Sequence, residues 1–237
     1  MRIEIWSDVV CPWCYIGKRR LESALAGFPH RDDVEIVWRS YQLDPGAPTE
    51  PTETAQQMLG RKYGMSPAQA AAAQQRVIFQ AAEEGMHWKH EQSMHNNTRD
   101  AHRLIHLAAE VGGPAKQGEL KEALLHAYFG EAEVVSDHDV LRRIATGVGL
   151  DPTRVDEVLS TDEFDHDIDA DVAQAAAYGA TGVPFFVVDQ KFGISGAQPT
   201  EVFTQVLERA WDDAHPVLES VVASADGEAC GPDGCPV

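Results

Sequence analysis

The sequence predicts an α/β protein in which an all-helical insertion interrupts a small sheet. Three observations lead to this class: the chain opens with strand, helix and strand, residues 47–165 contain several helix starts with little strand signal, and a dense apolar strand follows residue 184. The predicted order is β-α-β, then the helical insertion, then α-β-β-α. We place the two parts of the sheet domain at residues 1–46 and 166–213, the insertion at 47–165 and a tail at 214–237.

The opening elements follow from periodicity and from helix-ending residues. Isoleucines alternate with other residues at the start of 2–10, which predicts the first strand. A helix is expected from Pro12 to about Ala26, because proline suits the first helical position and Gly27 ends the pattern. The apolar run over 34–43 predicts the second strand.

The helices of the insertion are predicted from capping residues and from Gly and Pro. Ser66 is a suitable N-cap before Pro67, and Thr98 is a suitable N-cap further along. Helices are expected over 67–84, 98–111, 115–128, 137–147, 152–159 and 163–178. The chain then returns to the sheet with strands at 185–188 and 192–196 and a last helix over 199–213.

Composition limits the function classes. The chain has 237 residues, 43% of them hydrophobic, and a net charge of −19, which fits a packed core and argues against binding nucleic acid. No apolar stretch approaches the roughly 20 residues of a membrane helix. The N-terminal residues do not resemble a signal peptide, so we expect a cytoplasmic protein that does not bind membranes. The oligomeric state is not indicated.

Cys11 and Cys14 form a Cys-Pro-Trp-Cys pair at the predicted junction of strand and helix. The start of a helix favours a thiolate, so we expect Cys11 to be the nucleophile and the more exposed, lower-pKa thiol of the two. Cys14, one turn later, is placed to resolve a mixed disulfide at Cys11. Asp8 opposes thiolate formation if it points at Cys11. The alternatives are half of a structural zinc site or a redox-inert buried pair.

The motifs that carry a family resemblance occur in order over about residues 1–213. They are Ser7 to Gly17 around the cysteine pair, Tyr41-Gln-Leu-Asp-Pro45, Asn97-Thr98 with Ala101-His102, and Gly182-Val183-Pro184. In these motifs the chain resembles the DsbA-like thiol–disulfide oxidoreductases of the FrnE type, which have a thioredoxin fold with a helical insertion.

The resemblance implies a function and a set of site residues. It implies a cis Val183–Pro184 bond beside the catalytic cysteines, with Val183, Pro12 and Trp13 in contact with the substrate. It further implies that Pro184 is part of the catalytic site, that protein or small thiols and disulfides are the partners, and that no organic cofactor is bound. Glutathione is a candidate redox partner. The direction of electron flow is left open, although the uncharged Pro12-Trp13 dipeptide predicts a less oxidising centre than one with histidine there.

Two other functions are kept open. Some relatives of the subgroup are glutathione-dependent isomerases, such as 2-hydroxychromene-2-carboxylate isomerase, or transferases that act on small aromatic molecules. Those relatives often have Ser at the position of Cys11, so the retention of both cysteines favours disulfide chemistry. A zinc-stabilised binding module that uses all four cysteines is the third hypothesis.

Two further groups of residues were candidates for chemistry. Cys230 and Cys235 enclose a Gly-Pro-Asp-Gly turn that permits a local disulfide, and some FrnE-type proteins carry such a pair. We predict a second redox pair, with an inert terminus or a metal clip as alternatives. His102 and His106 are one helical turn apart, but neighbouring arginines disfavour a cation, so we expect surface or partly buried histidines and no metal.

Overall fold

The computed structural model describes residues 1–216, and their secondary structure follows the predicted order. This part of the chain has four strands and eight α-helices. In chain order they are β1 (Arg2–Ser7), α1 (Pro12–Ala26), β2 (Glu35–Ser40), α2 (Ala55–Tyr63), α3 (Pro67–Glu83), α4 (Arg99–Gly130), α5 (His138–Gly147), α6 (Pro152–Leu159), α7 (Asp165–Ala177), β3 (Phe185–Val188), β4 (Phe192–Ser195) and α8 (Thr200–Ala214). The predicted α/β class with a helical insertion is confirmed.

The four strands form one mixed sheet in the order β2-β1-β3-β4. β1 pairs in parallel with β2, whereas β3 is antiparallel to both β1 and β4. Because β1 has β2 on one side and β3 on the other, residues that follow β1 lie between the loops attached to these two strands.

The helices bury both faces of the sheet. Side chains alternate along β1, so Ile3 and Ile5 join the main core with apolar residues of α1, α4 and α8. Trp6 points to the opposite face, where it packs with Ala175 of α7. Each such large apolar side chain contributes about 1.5–3 kcal/mol by its burial. Among residues 1–216, no helix is long and apolar enough to cross a membrane.

The helical insertion differs from the prediction in two places. Sequence analysis does not predict α2, although Thr54 and Gln57 form its capping box and Gly64 ends it with φ 65°. The helices predicted over 98–111 and 115–128 meet as α4, with non-helical backbone at Gly113 (φ 67°, ψ −166°). Glycine adopts this positive φ readily, which explains why the chain bends here and still continues as helix.

α1 packs closely against the loop that precedes β3. A Cβ atom added at Gly17 would lie 3.1 Å from Pro184 Cγ and 3.2 Å from Phe186 Cζ. Both distances are shorter than ordinary contacts between carbon atoms, so a side chain at residue 17 would push the helix and the loop apart. The glycine therefore allows the first and last parts of the sheet domain to meet one turn beyond Cys14.

Candidate active site

The two N-terminal cysteines lie at the start of α1, as predicted. Cys11 is the N-cap residue with extended backbone (φ −89°, ψ 113°), and Pro12 occupies the first helical position. The Cys14 N–H donates to the Cys11 carbonyl over 3.0 Å. Both cysteines are buried, at 3% and 1% exposure, whereas Trp13 is 40% exposed. Within the described residues both carry free thiols, so the first turn presents a reduced pair.

The Val183–Pro184 loop completes the arrangement from the other end of the chain. The bond between these residues is cis, and the Val183 carbonyl accepts a hydrogen bond from Cys11 Sγ at 3.6 Å. The structure thus brings Cys11, Cys14 and the Val183–Pro184 loop together, with Pro12 half-buried and Trp13 at the surface.

The reduced pair does not behave as its place at a helix start predicts. The pKa of the Cys11 thiol is raised well above its usual value by its hydrogen bond with Cys14, and further by burial and by the charges of Cys14 and Asp8. Two sulfurs in contact cannot both ionise at low cost, so the contact with Cys14 disfavours a thiolate at Cys11. The low pKa expected for Cys11 is therefore wrong for the reduced pair, whereas Cys11 is the more exposed of the two thiols, at 3% against 1%.

Asp8 is a buried carboxylate three residues before Cys11. It accepts hydrogen bonds from the N–H groups of Val9 and Leu43, both at 2.8 Å, and its Oδ1 lies 3.3 Å from Nε2 of His102. Burial alone would raise the pKa of this carboxyl, but these partners outweigh burial and lower the pKa. Asp8 is therefore ionised near neutral pH, and its charge opposes a thiolate at Cys11.

Lys121 of α4 places a buried cation close to the same sulfurs. Its Nζ donates to the Ser7 carbonyl over 3.1 Å, and the side chain is almost fully buried. Burial lowers the pKa of Lys121 to about 8, while the charges of Asp8 and of both sulfurs act in the opposite direction. A cation held here favours the ionised state of the pair and so counteracts Asp8.

The two histidines of the α4 pair, His102 and His106, contact different polar residues. His102 is buried at 1% exposure, and burial lowers its pKa, so the neutral ring donates from Nε2 to Asp8. His106 lies 3.0 Å from Ser40 Oγ and 3.3 Å from Asp171 Oδ2. The expectation of surface or partly buried histidines is thus wrong for His102. Among residues 1–216, no group of three or more His, Cys, Asp or Glu side chains is placed to hold a metal ion.

Lys121 is the site residue that sequence reasoning missed. The signal for it is spacing: Lys121 follows Gln117 and precedes Leu125 by one helical turn each, and these residues share the buried face of α4. A lysine on the buried face of a helix is uncommon, and it indicates a specific partner. Cys230 and Cys235 lie outside the described residues, and their role as a second redox pair stays a prediction.

The fold and the cysteine pair together define a thioredoxin-like oxidoreductase. The profile of the DSBA-like thioredoxin domain matches residues 2–208, and the chain belongs to this family. The predicted DsbA-like resemblance is confirmed. A protein described as a probable DsbA oxidoreductase from Streptomyces coelicolor is 46% identical, with a TM-score of 0.85 over 100% of this chain and 99% of its own.

Two more distant structures have the same fold. A 2-hydroxychromene-2-carboxylate isomerase is 13% identical, with a TM-score of 0.67 over 90% of this chain and 98% of its own. The cytosolic disulfide reductase DsbM from Pseudomonas aeruginosa, solved with glutathione, is 14% identical, with a TM-score of 0.61 over 89% of this chain and 99% of its own. At these identities the likeness concerns the fold alone.

Proposed function

We propose that this DsbA-like protein exchanges disulfides with cysteines of polypeptide substrates and works as a reductase or isomerase. The observation that carries the proposal is the contact of Cys11 Sγ with the Val183 carbonyl at the start of α1, with Cys14 one turn later. A substrate that pairs its main chain with the Val183 loop would present its sulfur to Cys11, since strand-like pairing binds extended chains with little regard for sequence.

The proposed exchange proceeds in two steps. The Cys11 thiolate attacks one sulfur of a substrate disulfide, which forms a mixed disulfide and releases the other substrate sulfur as a thiolate that takes up a proton. Cys14, as a thiolate, then attacks Cys11 Sγ and releases the second substrate thiol. The enzyme gives two electrons to the substrate and becomes a disulfide, and two molecules of glutathione are the proposed reductant that restores the dithiol.

The ionisation of the reduced pair bears on its midpoint potential. A strong oxidant is one whose reduced form is stabilised, whereas here the hydrogen bond with Cys14, burial and Asp8 raise the pKa of Cys11. We therefore expect a midpoint potential more negative than the roughly −120 mV of strongly oxidising centres. Equilibration with glutathione buffers and thiol counting by mass spectrometry measures this potential.

The test of the function uses insulin reduction and the refolding of scrambled ribonuclease. Cys11→Ser should abolish both activities, and Cys14→Ser should accumulate mixed disulfides with the substrate because the resolving thiol is missing. A Cys11→Ser protein with normal rates would refute the proposal. Circular dichroism melting of each variant serves as the control for folding.

A glutathione-dependent isomerase or transferase of a small aromatic molecule is the second candidate. The observation in its favour is an apolar cavity lined in part by Pro12 and Tyr63, next to the position where glutathione would meet Cys11. This activity needs one sulfur or hydroxyl only, so it should survive Cys14→Ser. Turnover of an aromatic substrate that depends on glutathione, measured on that variant, distinguishes the two functions.

A further inference from the structure

The cavity beside the cysteine pair has a volume of about 160 Å³. Val10 and Pro12, the two sequence neighbours of Cys11, both line it, so its wall begins one residue from the reacting sulfur. The remaining wall comes from the loop after β2 and from the helical insertion. Because β2 and β3 flank β1 on opposite sides, the loop after β2, which lines this cavity with Leu43 and Asp44, and the Val183 loop come from opposite sides of β1.

The wall of the cavity changes from exposed to buried residues. Leu43 and Tyr63 are 41% and 60% exposed and form a rim. Asn96, Thr98 and Tyr128 are buried at 2% each and form the floor. The accessible surface of the cavity is mainly apolar, with Ala55, Met58 and Leu59 of α2 among its lining residues. Polar side chains also line it: Asp8, Asp44, Lys62, His90 and His95. Such a shape accepts a group that is apolar along its length.

Asn96 adds an unpaired acceptor to the floor. Its Nδ2 donates to the Met94 carbonyl at 2.8 Å, whereas its Oδ1 is buried without a hydrogen-bond partner among residues 1–216. Buried acceptors are nearly always paired in folded proteins, so an unpaired one beside a cavity indicates a donor supplied by a ligand. An aromatic ring that ends in an O–H or N–H group fits both the apolar wall and this acceptor.

We propose that this cavity binds a tyrosine or tryptophan side chain of the polypeptide whose cysteine reacts with Cys11. The size agrees, because an apolar cavity of about 150 Å³ is known to hold one benzene molecule. The inference rests on the proposed exchange function, and it adds a substrate preference that main-chain pairing with the Val183 loop does not provide. Binding of the ring on one side of Cys11 and of the main chain on the other would fix the substrate sulfur between them.

The experiment compares decapeptides that carry one cysteine as a mixed disulfide with cysteamine. Tyr, Trp, Phe or Ala is placed in turn at each of the three positions on either side of the cysteine. The second-order rate of reduction by the dithiol enzyme is measured by acid quenching and mass spectrometry. At one position we expect Tyr and Trp peptides to react roughly tenfold faster than the Ala peptide, the factor expected for burial of one aromatic side chain, with Phe in between.

Matched variants assign the preference to the cavity. Met58→Trp should fill the cavity and remove the preference, whereas Met65→Trp, the same substitution on a residue outside the cavity lining, should retain it. Asn96→Ala should remove the difference between Tyr and Phe. If Met58→Trp does not fold, Leu43→Glu at the exposed rim replaces it, with Phe79→Glu, 61% exposed on α3, as its control.

The outcomes separate this inference from the proposed function. If no peptide is reduced, or if Cys11→Ser reduces peptides as fast as the unchanged protein, the exchange function itself fails. If all peptides react at one rate that Cys11→Ser abolishes, exchange stands and the aromatic preference is refuted. A third outcome is that all peptides react equally, free indole or phenol inhibits the reaction, and Met58→Trp removes this inhibition. The cavity would then bind a separate small molecule, and the inference is overturned.

Discussion

Two clusters of buried charge lie near β1, and they are built differently. The sheet cluster consists of Glu4, Arg39 and Asp171, in which Arg39 donates to Glu4 Oε1 at 2.9 Å and to Asp171 Oδ1 at 3.2 Å. The dithiol cluster consists of Asp8, His102 and Lys121. In the first cluster the cation is paired with both carboxylates, so each charge has a direct partner of opposite sign.

The charges of the dithiol cluster are bound mainly by neutral groups. Lys121 donates to a backbone carbonyl, and Asp8 accepts from two backbone N–H groups and from a neutral His102. Neither charge is cancelled by a direct ion pair, so both act on the nearby sulfurs, in opposite senses. The comparison indicates that the paired cluster serves stability and the dithiol cluster serves chemistry.

The largest effect is expected from breaking the sheet cluster. Arg39→Met leaves Glu4 and Asp171 buried without their cation, and loss of one partner of a buried ion pair destabilises a protein by about 3–5 kcal/mol. Urea unfolding at pH 7 measures the change. Arg142→Met, the same substitution in a surface ion pair with Asp139 and Asp156, is the control and should change little. Normal stability of Arg39→Met, or a slower exchange rate per folded molecule, would contradict the division of roles.

The unfolding free energy should depend on pH because the charge of Lys121 is buried in the folded protein. Its pKa is about 8 in the folded protein against an ordinary value of 10.5, so the unfolded chain binds more protons between these values. The unfolding free energy due to this residue should therefore rise with pH across that window, by at most about 1.4 kcal/mol per pH unit. The measurement is urea unfolding of the Cys11→Ser/Cys14→Ser protein, in which no thiol of the pair titrates, with and without Lys121→Met. A difference between the two that does not depend on pH would show that Lys121 titrates normally.

The rate of the exchange reaction should depend on the same lysine. Lys121→Met removes the cation that favours the thiolate, so the pH–rate profile should move about one unit upward and the rate at neutral pH should fall about tenfold. Alkylation of the reduced pair and peptide reduction are both measured from pH 5 to 10. Lys116→Met, on the same helix with Glu119 as ion-pair partner, should keep the normal profile. Superimposable profiles for the two variants would refute the role of Lys121.

A smaller change of opposite sign is expected from Asp8→Asn. Its charge is the weakest of the causes that raise the pKa of Cys11, so removing it should lower that pKa and speed alkylation at neutral pH by roughly two- to fivefold. The amide cannot accept from both N–H groups of Val9 and Leu43, so stability should fall as well. A slower alkylation rate in protein shown to be folded would mean that Asp8 assists the thiolate.

Local signals predicted the first half of the site. The strand before Cys11, the proline at the first helical position and the spacing to Cys14 are all within one short segment, where periodicity and capping determine structure. The Val183–Pro184 loop was expected only through the family resemblance, because no local pattern states which distant segment packs against Cys11. The low pKa expected for Cys11 failed first because of the hydrogen bond with Cys14. Burial and Asp8 raise the pKa further, and both depend on how β1 is covered by α4.

The insertion was harder to predict in detail. α2 follows a segment rich in Pro and Thr, and its short length gives little periodicity, so only the capping pair of Thr54 and Gln57 indicated it. Thr98 was expected to cap α4, but the first N–H of that helix, at Arg99, is bound instead by Asn97 Oδ1 at 2.8 Å. Asparagine and threonine are both good caps, so the sequence alone does not show which of the adjacent residues Asn97 and Thr98 binds the first N–H of the helix.

The contact between Cys11 and Val183 joins residues that are 172 positions apart. At a synthesis rate of about 5–20 residues per second, Cys11 and Cys14 leave the ribosome roughly 10–30 s before their partner loop exists. During that interval the two thiols lack the carbonyl and the packing at Gly17 that assemble the site. Assembly of the candidate site is therefore tied to synthesis of the Val183–Pro184 loop, and a chain halted within the helical insertion carries both cysteines without that loop.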